Sequence, residues 1–373
     1  MEKKIPYQKQ FIDDEDISAV VDTLKRDFIT GGPKIEEFEK KFSEYVGAKY
    51  GVAVANGTAG LHIACLAAGL KEGDELITSP ITFLASANCA LYCKSKVRFI
   101  DIDSQGLLDL RKINFGEETK VVIPVHYGGM PLDLKGLREN FKGIIIEDAC
   151  HALGAEINGE KIGNCKYSDI CVFSFHPVKH ITTGEGGMIT TNNEELYKKL
   201  LILGNHGVDV EKKTESEPWA TPMTELGFNY RITDFQCALG ISQLKKIDSF
   251  VKSSREIAKK YETAFSDDKE IEVIKEKEGQ KSSYHLYPIL VKDKETRLKL
   301  YNYLRENGIF AQIHYQPVYL QPYYRGLGYS EGECPVTESF YNRVISLPIY
   351  PTLTDEEQLF VINKVKEFFK NGI

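Results

Sequence analysis

Apolar positions along this chain follow two periods, and their alternation sets out most of the elements. Across residues 14–25, Ile17, Val20, Val21 and Leu24 recur at helical spacing, with Asp13 or Asp14 placed to cap the first turn. Thr30-Gly31-Gly32-Pro33 interrupts that pattern, and a second amphipathic helix runs through Ile35, Phe38, Phe42 and Val46. Short apolar runs then appear at residues 50–55, 75–79, 96–102, 120–124, 144–146, 170–175 and 187–191. Each has the length of a strand, and helical stretches separate several of them, at 61–70, 85–92 and 133–140. Unbroken apolar strands alternating with helices predict a mainly parallel sheet covered on both faces.

Further on, residues 194–203 read as helix and the polar stretch 208–222 as an exposed loop. Residues 233–265 form one long helical pattern, in which Leu244, Ile247, Val251, Ile257 and Tyr261 stand three to six residues apart. A helix of that length reads as a bridge between domains. The expected division is a large domain over 1–240 and a smaller α+β domain over 241–373, built from strands at 283–291 and 311–313 and helices at 294–306 and 355–369.

Composition narrows the class. With 373 residues, 42% hydrophobic and 27% charged, the chain is long enough for two domains and a large core. Its net charge of -7 argues against nucleic acid or an anionic membrane as partner, both of which select a basic excess. The eight cysteines are scattered, with no C-x-x-C pair, and read as buried free thiols in a reducing cytoplasm. No run of about eighteen apolar residues occurs, and the first ten residues lack an apolar signal core.

In parallel sheets ligands bind beyond the C-terminal ends of the strands. Asn56, Gly57, Thr58 and Ala59 fall at such an end, as do Thr82, Phe83, Asp148 and the stretch from Ser174 to Lys179. A strand, a small-residue turn and a helix point backbone N–H groups at an anion. Asp148 closes an Ile-Ile-Ile run, and a carboxylate buried there needs a charged or hydrogen-bonded partner, unless it caps a helix. Lys179 is the single lysine of SFHPVKHITTGEGG (174–187), held between two strands. Together these residues meet four requirements of pyridoxal 5'-phosphate (PLP). They offer an anion cradle (Gly57 to Ala59, with the Thr58 and Ser174 hydroxyls), an aromatic face (Phe83), an acid for the pyridine nitrogen (Asp148) and an amine for the carbonyl (Lys179).

The motifs NGTAGLH (56–62), TFLASAN (82–88), EDACHALGAE (147–156), SFHPVKHITTGEGG (174–187), GFNYRITDFQCALGISQL (227–244), SSYHLYPIL (282–290), HYQPVY (314–319) and SLPIYPTLT (346–354) resemble, in order, those of the DegT/DnrJ/EryC1/StrS sugar aminotransferases. The resemblance covers nearly the whole chain. It implies an α/β chain with the aspartate-aminotransferase (fold type I PLP) fold, and a homodimer with shared active sites. Lys179 is implied as the lysine that holds PLP and moves the proton, and Asp148 as the partner of the pyridinium. His151 is placed near the phenolic oxygen, Thr58, Ala59 and Ser174 at the phosphate, and Phe83 on the ring. Asn229 is implied to reach the phosphate of the neighbouring subunit's site, and Arg231, His314 and Tyr315 to line the substrate pocket. Cys150 stands where alanine is usual and Tyr319 where many relatives carry histidine. Lys179 itself separates the chain from dehydratase relatives, which have histidine there. Within the family the resemblance is to the pseudaminic-acid branch, implying amino transfer from L-glutamate to C4 of a UDP-linked 4-keto-6-deoxy-N-acetylhexosamine. The cofactor motifs do not separate this substrate from dTDP- or GDP-linked keto-sugars, or C4 from C3. A non-catalytic protein of the same fold would have no need of Lys179.

Overall fold

The computed structural model describes residues 4–212 and 216–372. Seven strands form the central sheet: β1 (Tyr50–Val54), β2 (Glu75–Thr78), β3 (Lys96–Phe99), β4 (Thr119–Ile123), β5 (Ile144–Asp148), β6 (Ile170–Ser174) and β7 (Gly187–Thr191), in the order β1-β7-β6-β5-β4-β2-β3. All point the same way except β7, which runs antiparallel to both β1 and β6. The near-continuous apolar runs have a direct cause. Val52, Val54, Val172 and Ile189 pack on one face of the sheet, while Ala53, Cys171, Phe173 and Met188 pack on the other. Successive side chains alternate faces, so a strand covered on both must be apolar throughout.

Helices α1 (Asp14–Leu24), α2 (Pro33–Val46), α3 (Gly57–Ala67) and α4 (Ala85–Tyr92) precede or interleave the early strands. The turn expected at 56–60 is the start of α3 itself. Asn56 is its N-cap, accepting from Ala59 N at 2.8 Å. The first helix departs from its apolar pattern. Its buried residues are Asp16 and Thr23, whereas Ile17, Val21 and Leu24 are 53%, 41% and 52% exposed. Asp16 is held inward by Gln243 Nε2 at 2.6 Å and Lys246 Nζ at 3.0 Å, which leaves the three aliphatic side chains on the outer face of the helix.

The single helix expected over 233–265 is two helices, α5 (Asp234–Leu244) and α6 (Ile247–Phe265). The break falls at Lys245 and Lys246, where Lys246 turns its ammonium to Asp13 and Asp16. Beyond α6 lies a three-stranded antiparallel sheet of Glu272–Val273, Tyr287–Leu290 and Val344–Leu347. The strand expected at 311–313 is instead Ile309–Phe310, paired in parallel with Ile5–Pro6 from the N-terminus. Of the expected exposed loop at 208–222, residues 213–215 lie outside the described residues. On either side of them Val210 is 59% and Trp219 79% exposed.

Candidate active site

The strand order brings the C-terminal ends of β1, β2, β4, β5 and β6 to one side of the sheet. A cavity of about 760 Å³ opens there, lined by Asn56, Gly57, Thr58 and Ala59 after β1, and by Thr82 and Phe83 after β2. Val125 follows β4, Asp148 ends β5 with Cys150 and His151 after it, and Ser174 ends β6 with His176, Val178 and Lys179 after it. His314, Tyr315 and Tyr7 close it from the second half of the fold and the N-terminal segment.

One wall is the first turn of α3. Ala59 N is bonded to the Asn56 cap and Gly60 N to the Asn56 carbonyl, while Gly57 and Thr58 carry the remaining first-turn N–H groups. Position 57 is crowded: a Cβ there would lie 3.0 Å from Ser174 Cβ and 3.1 Å from Cys150 Sγ, so a larger residue would push those neighbours back by a few tenths of an ångström. The helix start therefore abuts the end of β6, and the Ser174 hydroxyl meets the same corner.

Asp148 is 5% exposed. Its Oδ1 accepts from Cys150 N at 3.1 Å and its Oδ2 from Ser86 Oγ at 2.5 Å. No helix begins after it, so it is not a helix cap. Lys179 lies half-buried in the loop between β6 and β7. Burial pulls its ammonium below the ordinary lysine range, and the charge of Asp148 opposes that pull.

His151 lines the cavity and packs against His285, ring centroids 4.3 Å apart. Gly128 N donates to its Nδ1 at 3.3 Å, so the neutral ring carries its proton on Nε2, 3.2 Å from the Tyr315 hydroxyl. Tyr315 accepts there and keeps its own O–H for another partner. Burial, followed by the Lys179 charge, holds His151 well below the usual imidazole value. The same two causes hold His314 down to about 3. The Phe83 ring, 56% exposed, also lines the cavity, 6.5 Å from Tyr315 and edge-on to it. It is not a core residue.

Two residues expected at the site lie outside this cavity. Asn229 and Arg231 are exposed, and Arg231 Nη1 donates to Asn205 Oδ1 at 2.8 Å. Tyr319 is fully buried and bonds Glu338 at 2.5 Å, so it takes no part in the pocket. Sequence reasoning placed Thr82 at a strand end but missed Ser86, which sits in the same TFLASAN motif, and also Tyr7, Tyr92, Glu185 and Tyr230 on the cavity wall. Every cysteine is free, and all but Cys150 are buried. Among the described residues no helix is long and apolar enough to cross a membrane, and no His, Cys, Asp and Glu group is arranged to hold a metal.

A profile of the DegT/DnrJ/EryC1/StrS aminotransferase family matches residues 10–366. A UDP-4-amino-4,6-dideoxy-N-acetyl-beta-L-altrosamine transaminase of Campylobacter jejuni is 38% identical over 96% of this chain and 95% of its own length. An uncharacterized protein of Methanocaldococcus jannaschii is 40% identical over 98% of each chain. Among solved structures, Helicobacter pylori PseC, described as an aminotransferase involved in the biosynthesis of pseudoaminic acid, is similar with a TM-score of 0.92. That match has 31% identity and covers 99% of this chain and 100% of the other.

Proposed function

Because the chain belongs to the DegT/DnrJ/EryC1/StrS aminotransferase family, we propose that it moves an amino group from L-glutamate to C4 of a UDP-linked 4-keto-6-deoxy-N-acetylhexosamine, with PLP held in the cavity described above. The observation that carries this reading is the meeting of Lys179, Asp148 and the start of α3 in one cavity. The residues present fit the cofactor. Gly57 and Thr58 N–H groups with the Thr58 and Ser174 hydroxyls suit a phosphate. The exposed Phe83 ring suits a flat heterocycle, and the oriented Asp148 carboxylate suits a protonated ring nitrogen. When bound, PLP supplies an electron sink for the carbon that loses its proton.

The protein's own residues do the rest. Lys179 Nζ is the group that would hold the cofactor's carbonyl carbon. Its amine, once released, would carry the proton to and from the substrate carbon, and burial weakens its hold on that proton. Asp148 supplies the counter-charge. His151 orients Tyr315, whose hydroxyl proton is left to face the cavity. The chemistry of the Campylobacter transaminase, a UDP-linked 4-amino-4,6-dideoxy sugar, supports the UDP-sugar and the C4 position.

The same reading makes the working unit a homodimer. Among the described lining residues Lys179 is the only lysine or arginine, whereas L-glutamate and a nucleoside diphosphate bring several negative charges. Asn229 and Arg231, exposed and outside their own cavity, are the groups a second copy would present, with Asn229 at the phosphate. Ile17, Val21, Leu24 and Phe28, all exposed and apolar, provide surface for that contact. A division at residue 240 leaves the seven-stranded sheet before it and the sheet of Glu272–Val273, Tyr287–Leu290 and Val344–Leu347 after it, but it falls inside α5, and Ile5–Pro6 pairs across it with Ile309–Phe310. Eight unpaired cysteines favour the cytoplasm.

The test is spectroscopic and then chemical. Purified protein with PLP should show a visible band that L-glutamate bleaches and the UDP-4-keto sugar restores, with a C4 amino product by NMR. Bleaching without recovery would reject the sugar, and absence of any band would reject the cofactor. Mixing inactive Lys179→Ala and Asn229→Ala proteins should regain activity, because a mixed dimer holds one intact site. No regain would reject shared sites.

A further inference from the structure

A carboxylate that must pair with one ring nitrogen needs its plane fixed as well as its position. The terminal torsion of aspartate is broad and roughly two-fold, so a single donor leaves the group free to pivot. Asp148 has one donor from its own segment, Cys150 N on Oδ1. The other comes from a different element 62 residues away in sequence, Ser86 Oγ on Oδ2 at 2.5 Å. That is the length of a charge-assisted O–H···O⁻ bond. Ser86 is fully buried in α4, so water does not substitute for it.

The serine is itself oriented. Its hydroxyl has one proton, and the carboxylate takes it in preference to the Phe83 carbonyl, 3.4 Å away. The contact of 2.7 Å between Thr82 Oγ1 and Ser86 Oγ therefore runs from Thr82 to Ser86. The chain Thr82 to Ser86 to Asp148 begins one residue before Phe83, whose ring lines the same cavity. One line of hydrogen bonds thus ties the aromatic wall to the acid.

We infer that Ser86 is a positioning residue for the Asp148 carboxylate, oriented in turn by Thr82, and that it sets how firmly Asp148 engages the cofactor's ring nitrogen. The inference rests on the reading of Asp148 given above. Its role is to orient the acid, so its loss acts on the cofactor and leaves the amino donor's binding alone.

The experiment compares wild type with Ser86→Ala, Ser86→Thr and Thr82→Val, using PLP titrations of the apo-protein as well as turnover. Ser86→Ala should raise the PLP dissociation constant roughly ten- to hundredfold, the range for loss of a hydrogen bond to a charged group. It should also shift the pH at which the visible band changes and lower kcat, with KM for L-glutamate unchanged. Ser86→Thr, which keeps the hydroxyl, should restore affinity and spectrum, and Thr82→Val should show the same changes in smaller measure. If Ser86→Ala does not fold, Ser86→Cys, close in size with a weak donor, serves in its place. A purely structural serine would lower the melting temperature yet leave the affinity and band of the folded protein as they were, and that result in either variant overturns the inference. Failure of wild type to develop a PLP band would instead remove the functional reading, before Ser86 is tested.

Discussion

Glu147 and Asp148 are neighbours on β5, both buried, and the alternation of the strand sends them to opposite faces. Glu147 enters a closed network. Ser168 Oγ donates to Oε1, and His126 Nε2 donates to Oε2 at 2.8 Å. The His126 tautomer is set by Leu132 N, which donates to its Nδ1 at 3.0 Å. Every group in that cluster has its partner within the protein. Asp148 has both oxygens held, yet it forms part of the wall of a large open cavity. The difference teaches that burial and hydrogen bonding alone do not mark a working acid. What marks it is a face left over for something the chain does not contain.

The comparison can be broken or sharpened by substitution. The largest effect belongs to the amine that shares the cavity with Asp148. Lys179→Ala should abolish turnover while circular dichroism stays that of the folded protein, and substantial residual activity would end the reading. Next, Asp148→Asn should lower kcat roughly ten- to hundredfold, the worth of one charge-assisted contact, with little change in melting temperature. Glu147→Ala should do the reverse, costing roughly 1–3 kcal/mol of stability in denaturant titrations while kcat changes little. If the two acids gave the same pattern, the contrast between them would fall.

The histidines near Lys179 give a pH test. Burial holds His180 at about 4 and His314 at about 3, against 6.5 for a free imidazole. Between those values the unfolded chain binds more protons than the folded one. Stability is therefore complete above about 6.5 and drains away as pH falls through 4 toward 3. Replacing both with glutamine should lessen that slope in melting curves, with the remainder left by His151 and His285, which burial also holds well below the free value. The smallest effect is expected from Tyr315→Phe, roughly two- to tenfold in kcat, because only one neutral hydroxyl is lost.

Much of this arrangement was legible in the sequence because strand ends converge. Once the short apolar runs are read as parallel strands, Asn56, Asp148, Ser174 and Lys179 are brought to one edge by topology alone. Ser86 was not legible. A serine among alanines in a short helix looks like packing, and its bond to Asp148 joins segments far apart in sequence. The first helix misled for the same reason: the partners that turn Asp16 inward, Gln243 and Lys246, come more than two hundred residues later. Strands of two residues, such as Ile5–Pro6, are too short to show any period.

Ser174 and Gly187 face one another in the β6–β7 ladder, so the loop bearing Lys179 leaves and re-enters the sheet through adjacent interior strands. Its ends cannot part without unzipping a ladder flanked by β5 and β1. In amide hydrogen exchange, Val172 and Ile189 thus belong to the last unit to open, and terminal fraying leaves the anchors of the Lys179 loop in place. The Lys179 amine thus hangs from two anchors that partial unfolding reaches late, after the more peripheral surroundings of the cavity have loosened.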